Sequence, residues 1–174
     1  MTAYLWLRQY VSREVSDGSF KDSYGTAAWI IKGSGGDNPL CPGLENDHSS
    51  YRSKLAGIYA IITVVNHLCS YYKIKEGVIT LGCNGDSALQ KFFSSLLDMD
   101  DTDRVMIAAI HAAVDRLPVK GTKHYIKGHQ DKEAKALDKW AEIHVAMDSK
   151  AKQFLKVATG LPRHQLILGE PWPL

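Results

Sequence analysis

Four short segments carry the side chains with the most chemistry to offer: Asp17 in VSDGSF, Lys54 in YRSKLAG, Asn84 in ITLGCNGDSAL and Asp148 in VAMDSKAK. A fifth, YIKGHQD, carries His129. Carboxylates supply anionic oxygens that suit hard divalent cations, and a carboxamide supplies a neutral oxygen. A protonated lysine has no lone pair and repels such a cation. An imidazole exchanges its proton near neutral pH. These residues are far apart in the chain, so any joint chemistry depends on the elements that bring them together.

Those elements are legible from hydrophobic period and turn signals. A strand reaching Asp17, a turn through Gly18 and Ser19, and a second strand YGTAAWII with bulky residues on both faces predict a hairpin of central strands. GSGGDNPLCPGLEND is turn-rich and reads as a surface connection with room for a short edge strand. Its GSGG has no helix behind it, which argues against a phosphate loop. Ser49 or Ser50 caps a long helix on which Leu55, Ile58, Tyr59, Ile62, Val65 and Leu68 recur at helical spacing. GVITLGCN is a short β-branched strand, and Asp86 or Ser87 is placed to cap the helix that follows. DTDRVMIAAIHAAVDRL puts Met106, Ile110, Ala113, Val114 and Leu117 on one stripe before Pro118 ends it. KHYIKGHQ is a strand running into a polar loop, and LDKWAEIHVAMDSKAKQFL is helical. The order predicts an α/β layer structure, a five-stranded mixed sheet flanked by helices.

Size and composition fit one domain over residues 1–158, with 159–174 as a C-terminal tail or linker. Of the 174 residues, 45% are hydrophobic and 23% charged, which excludes a disordered or fibrous chain. A net charge of +2 is too small to mark a nucleic-acid binder, so such a partner has to be argued from a site. The longest apolar run, LAGIYAIITVV, is shorter than the ~18 residues a membrane span needs, and MTAYLWLRQY does not read as a secretory signal. Cys41, Cys69 and Cys83 are odd in number and form no CxxC pair, which predicts reduced, buried thiols in an intracellular protein with no membrane partner.

In their order and context VSDGSF, YRSKLAG, ITLGCNGDSAL, YIKGHQD and VAMDSKAK resemble ribonuclease H. The likeness runs from about residue 13 to 153. No piece is specific alone, but the ordered set on alternating elements is. GCNGDSAL and LDKWAEIHVAMDSKAK look closer to retroelement-associated members than to the bacterial type, which implies a polyprotein context with a reverse transcriptase domain. The resemblance implies a ribonuclease H-like fold, an RNA/DNA hybrid as partner, and hydrolysis of the RNA strand by two ions, Mg²⁺ or Mn²⁺. Its site residues would be Asp17, Asp148, the positions of Lys54 and Asn84, and the mobile-loop histidine, His129; the metal ligands would be Asp17, Asp148 and Asn84.

Two of the four carboxylates that the family pattern asks for are replaced, glutamate by Lys54 and aspartate by Asn84. Two ions about 3.5–4 Å apart need concentrated negative charge. At ~4 Å and an effective dielectric near 20, one charge pair is worth roughly 4 kcal/mol, so an ammonium in place of a carboxylate opposes metal binding at that site. The expectation is weakened metal binding and severely reduced cleavage, with the ammonium standing in for the missing cation. The rivals are an active nuclease that recruits Asp86, Glu45 or Asp47, a non-catalytic binding or scaffold module, and an exonuclease or integrase-like relative of the same fold. Plainer readings make Asp17 a turn residue, Asp148 a surface charge, Asp86 a helix cap and His129 a loop histidine without a task. His111 and His144 read as helix-face residues, and Lys135, Lys139, Lys150 and Lys152 either touch phosphates or form a solvated basic face.

Overall fold

The computed structural model of the chain describes residues 12–31, 34–38, 48–94, 102–130 and 136–158. Cys41, Glu45, Asp47, Lys135, the first eleven residues and the tail 159–174 lie outside these. Strands β1 (Ser12–Lys21) and β2 (Tyr24–Ile31) form an antiparallel hairpin, and β3 (Ser34–Asn38) adds a short antiparallel edge strand to β2. Helix α1 (Ser50–Tyr72) leads to β4 (Val78–Cys83), then come α2 (Asp86–Phe93), α3 (Arg104–Val114), β5 (Lys120–Tyr125) and α4 (Lys139–Ala158). The sheet order is β3-β2-β1-β4-β5, with β4 parallel to both β1 and β5. This is the five-stranded mixed sheet that the pattern predicts.

The hairpin turn is four residues later than expected. Asp17 and Gly18 sit within β1, paired with Ala28 and Ala27, and the turn falls at Asp22 and Ser23, with φ of 50° and 63°. Two successive positive φ values are what a tight two-residue hairpin needs, and aspartate tolerates them better than most side chains. Gly18 has another reason to be glycine. A β-carbon there would stand 2.6 Å from the Ser53 carbonyl carbon and 2.7 Å from the Lys54 nitrogen, so α1 crosses β1 backbone against backbone. Gly57, one turn on, makes the reciprocal contact with Ser16, whose Cβ would be 2.9 Å from an added β-carbon.

Ser49 caps α1 by accepting from the Arg52 amide, as expected, and Lys73 ends the helix in the left-handed region. By length and mean hydropathy α1 is apolar enough to cross a bilayer, which its longest apolar run does not suggest. Its apolar face is used in the core: Leu55, Ile58, Ile61, Ile62 and Val65 are fully buried with Ile79 and Leu81 of β4 and Ile107 and Ile110 of α3. A smaller cluster on the opposite sheet face joins Val15, Ala28 and Ile126 to Met147 and Ala151 of α4. Alternation along β1 and β2 makes the division, Ala27 facing the first cluster and Ala28 the second. Trp140 covers Gly82 from the α4 side and stacks on His124 at 4.3 Å between ring centroids. Cys69 and Cys83 are buried free thiols.

Candidate functional site

The pocket forms where β1 runs on past the carboxyl end of β4. Val15 is in register with Gly82, and continuing that register by two residues brings Asp17 level with Asn84. Asp17 is 2% exposed. Its Oδ1 accepts a hydrogen bond from the Gly18 amide at 2.8 Å, and its Oδ2 lies 3.3 Å from His144 Nε2. Burial pushes the carboxyl up from 3.8 to about 6, against the pull of the Gly18 amide and of the Lys54 ammonium. Asp148 raises it further and Lys152 lowers it, so all three of these α1 and α4 charges are close enough to act on Asp17.

Lys54 is half-buried and near enough for its charge to act on Asp17. The Gly18 crossing fixes its backbone, and its stem passes over the amino end of α2, where Cδ lies 2.7 Å from the place a Gly85 β-carbon would take. Asn84 is half-buried beside Gly128, its Nδ2 3.4 Å from the place a Gly128 β-carbon would take, while its buried Oδ1 makes no hydrogen bond. Asp148 is half-buried on α4 and accepts from Lys152 Nζ at 2.5 Å, one helical turn on. His129 follows Gly128 in the loop after β5, exposed and with φ of 57°. Thus Asp17, Lys54, Asn84 and Asp148 converge, and the His129 loop borders them through Gly128.

Two expectations need correction. Asp17 is not a turn residue. Asp86 is not the cap of α2: the capping residue is Gly85, and Asp86 is exposed in the first turn, accepting from Gln90 Nε2 at 2.6 Å. His144 is a helix-face residue, as read, but on the buried face of α4 against Asp17. The signal for His144 was present, because it precedes Asp148 by four residues and a helix brings such positions to one face. The Arg52–Asp103 ion pair, 2.6 Å and buried, had no local signal, since its partners are joined only by tertiary packing. It ties the start of α1, and so Lys54, to the start of α3. Cys83 lies beside the pocket, but burial pushes its thiol up to about 11, which keeps it from acting as a nucleophile.

The donor set does not fit a pair of divalent ions. Among the described residues no group of three His, Cys, Asp or Glu side chains is arranged to hold a metal. Asp17 already shares its oxygens with the Gly18 amide and His144, and Asp148 is held by Lys152. Asn84 Oδ1 is an available oxygen but brings no charge. The remaining member is an ammonium.

No protein-family model matches the sequence, and no curated protein matches it. Solved structures do. RNase H1 from the halophilic archaeon Halobacterium salinarum is 10% identical, with 82% of this chain and 98% of that one aligned at a TM-score of 0.50. The N-terminal RNase H domain of a Mycobacterium tuberculosis protein is 11% identical over 83% and 99% of the two chains, TM-score 0.46. LC11-RNase H1, solved in complex with an RNA/DNA hybrid, is 16% identical over 80% and 98%, TM-score 0.44. The strand order, the helices on both sheet faces and the alignment with the archaeal enzyme show that this chain has the ribonuclease H-like fold.

Proposed function

We propose that this chain is a ribonuclease H-type nucleic-acid-binding domain that recognises RNA/DNA hybrids and has lost most of the capacity to cut them. One observation carries the reading: Lys54 is locked by the Gly18 crossing into the pocket that Asp17, Asn84 and Asp148 complete. On this reading the pocket keeps the place where a hybrid would be cut and, among the described residues, lacks the anions that two-ion hydrolysis requires. Recognition of the hybrid would then rest on minor-groove shape, 2′-hydroxyls and phosphates, with Lys139, Lys150 and Lys152 of α4 as backbone contacts. The likeness of GCNGDSAL and LDKWAEIHVAMDSKAK to retroelement-associated members supports an origin in a polyprotein beside a reverse transcriptase domain, and the buried free thiols Cys69 and Cys83 support an intracellular setting.

The test is a labelled RNA/DNA hybrid assayed for both binding and cleavage in Mg²⁺ and in Mn²⁺. The expected result is salt-dependent binding without cleavage, and cleavage gained by the double reversion Lys54→Glu, Asn84→Asp. Cleavage by the unaltered chain that disappears in Asp17→Asn would overturn the loss of activity. Absence of hybrid binding at low salt would overturn the nucleic-acid reading.

A further inference from the structure

We infer that Lys54 is the pocket's own counterion, an ammonium supplied by the chain where the fold would otherwise need a bound divalent cation, so that the site is stable without metal. The route of the side chain is built for this. Gly18 lets α1 approach β1 so closely that the Lys54 backbone nitrogen is 2.7 Å from a would-be β-carbon, and the absence of a side chain at Gly85 opens the slot through which the stem runs. A β-carbon at either glycine would displace Lys54 from the pocket.

Among the described residues the charges of the pocket balance. Two carboxylates among these residues, Asp17 and Asp148, are set against two ammoniums: Lys152 from α4 pairs with Asp148, Lys54 from α1 acts on Asp17 through its charge, and the third oxygen position is the neutral Asn84. Asp148 destabilises ionised Asp17 while Lys54 and Lys152 relieve it. With glutamate and aspartate at positions 54 and 84 the same pocket would hold four carboxylates beside a single ammonium. Mutual repulsion would then have to be relieved by an ion bound from solution. Lys54 and Asn84 act in the same direction, each removing the demand for that ion.

This inference concerns the stability of the pocket and does not depend on any nucleic acid being bound. The measurement is thermal unfolding at neutral pH in EDTA and in millimolar Mg²⁺. The unaltered chain is expected to melt at the same temperature in both. Lys54→Glu with Asn84→Asp should melt lower in EDTA by on the order of 5–10 °C and recover with Mg²⁺. Lys54→Met, which keeps most of the stem and removes the charge, gives a second reading should the double variant fail to fold. It should lower the melting temperature in the unaltered chain and leave it nearly unchanged when Asp17→Asn is already present. A Mg²⁺-dependent rise in the unaltered chain would overturn the inference. So would a Lys54→Met variant that melts like the parent, or one whose loss is the same with and without Asp17.

Discussion

Replacing Asp17 by asparagine should make the protein more stable at neutral pH and leave it unchanged in acid. Asp17 is almost fully buried, and its carboxyl ionises near 6 in the folded chain instead of 3.8. Below 3.8 it is protonated whether the chain is folded or not. Between 3.8 and about 6 the unfolded chain loses the proton first, so the folded state loses stability as pH rises, and above about 6 the loss is complete. At 1.36 kcal/mol per pH unit, the difference is about 3 kcal/mol. Asparagine keeps an oxygen for the Gly18 amide and places an NH₂ towards His144 Nε2, so both contacts survive. Urea unfolding of both proteins from pH 3.5 to 8 measures the effect, since subtracting one curve from the other removes most other titrating groups. The curves should coincide near pH 3.5 and separate to about 3 kcal/mol by pH 7, with the asparagine variant the more stable. A constant difference across that range would refute the reasoning. So would a parent protein that gains on the variant as pH rises, because ionised Asp17 would then be held by an imidazolium at His144.

Other expectations test the scaffold that aims the pocket. Gly18→Ala puts a β-carbon 2.6 Å from the Ser53 backbone, where only a shift of the whole helix gives relief, so chemical unfolding should show a loss of about 3 kcal/mol. Arg52→Met takes the ion-pair partner from buried Asp103 and should cost about 3–5 kcal/mol, with much of the loss recovered by adding Asp103→Asn.

The elements were readable because their periods are strong: the stripe of Leu55, Ile58, Ile62 and Val65 admits only a buried helix, and YGTAAWII only a central strand. The order of the five chemistry-bearing segments was enough to expect Asp17, Lys54, Asn84 and Asp148 in one place, and the sheet register and the Lys54 path put them there. Details decided by contacts between distant segments were less readable. Asp-Gly is a strong turn signal, yet here the glycine answers to Ser53 on a helix 35 residues away, and the weaker pair Asp22-Ser23 makes the turn. The α2 cap shifted for a related reason: Gly85 must stay bare for the Lys54 stem, and Asp86 becomes a first-turn residue bonded to Gln90. The helix position of His144 alone does not reveal its contact with Asp17, although its spacing from Asp148 ties the two to the same face.

The central claim is that the described residues of this pocket offer too few anions for a pair of divalent ions, and calorimetric titration with Mn²⁺ tests it most directly. The unaltered chain should give no binding heat at the pocket, whereas Lys54→Glu with Asn84→Asp should take up two ions, fewer once Asp17→Asn is added. Two-ion binding by the unaltered chain that Asp17→Asn abolishes would contradict the account.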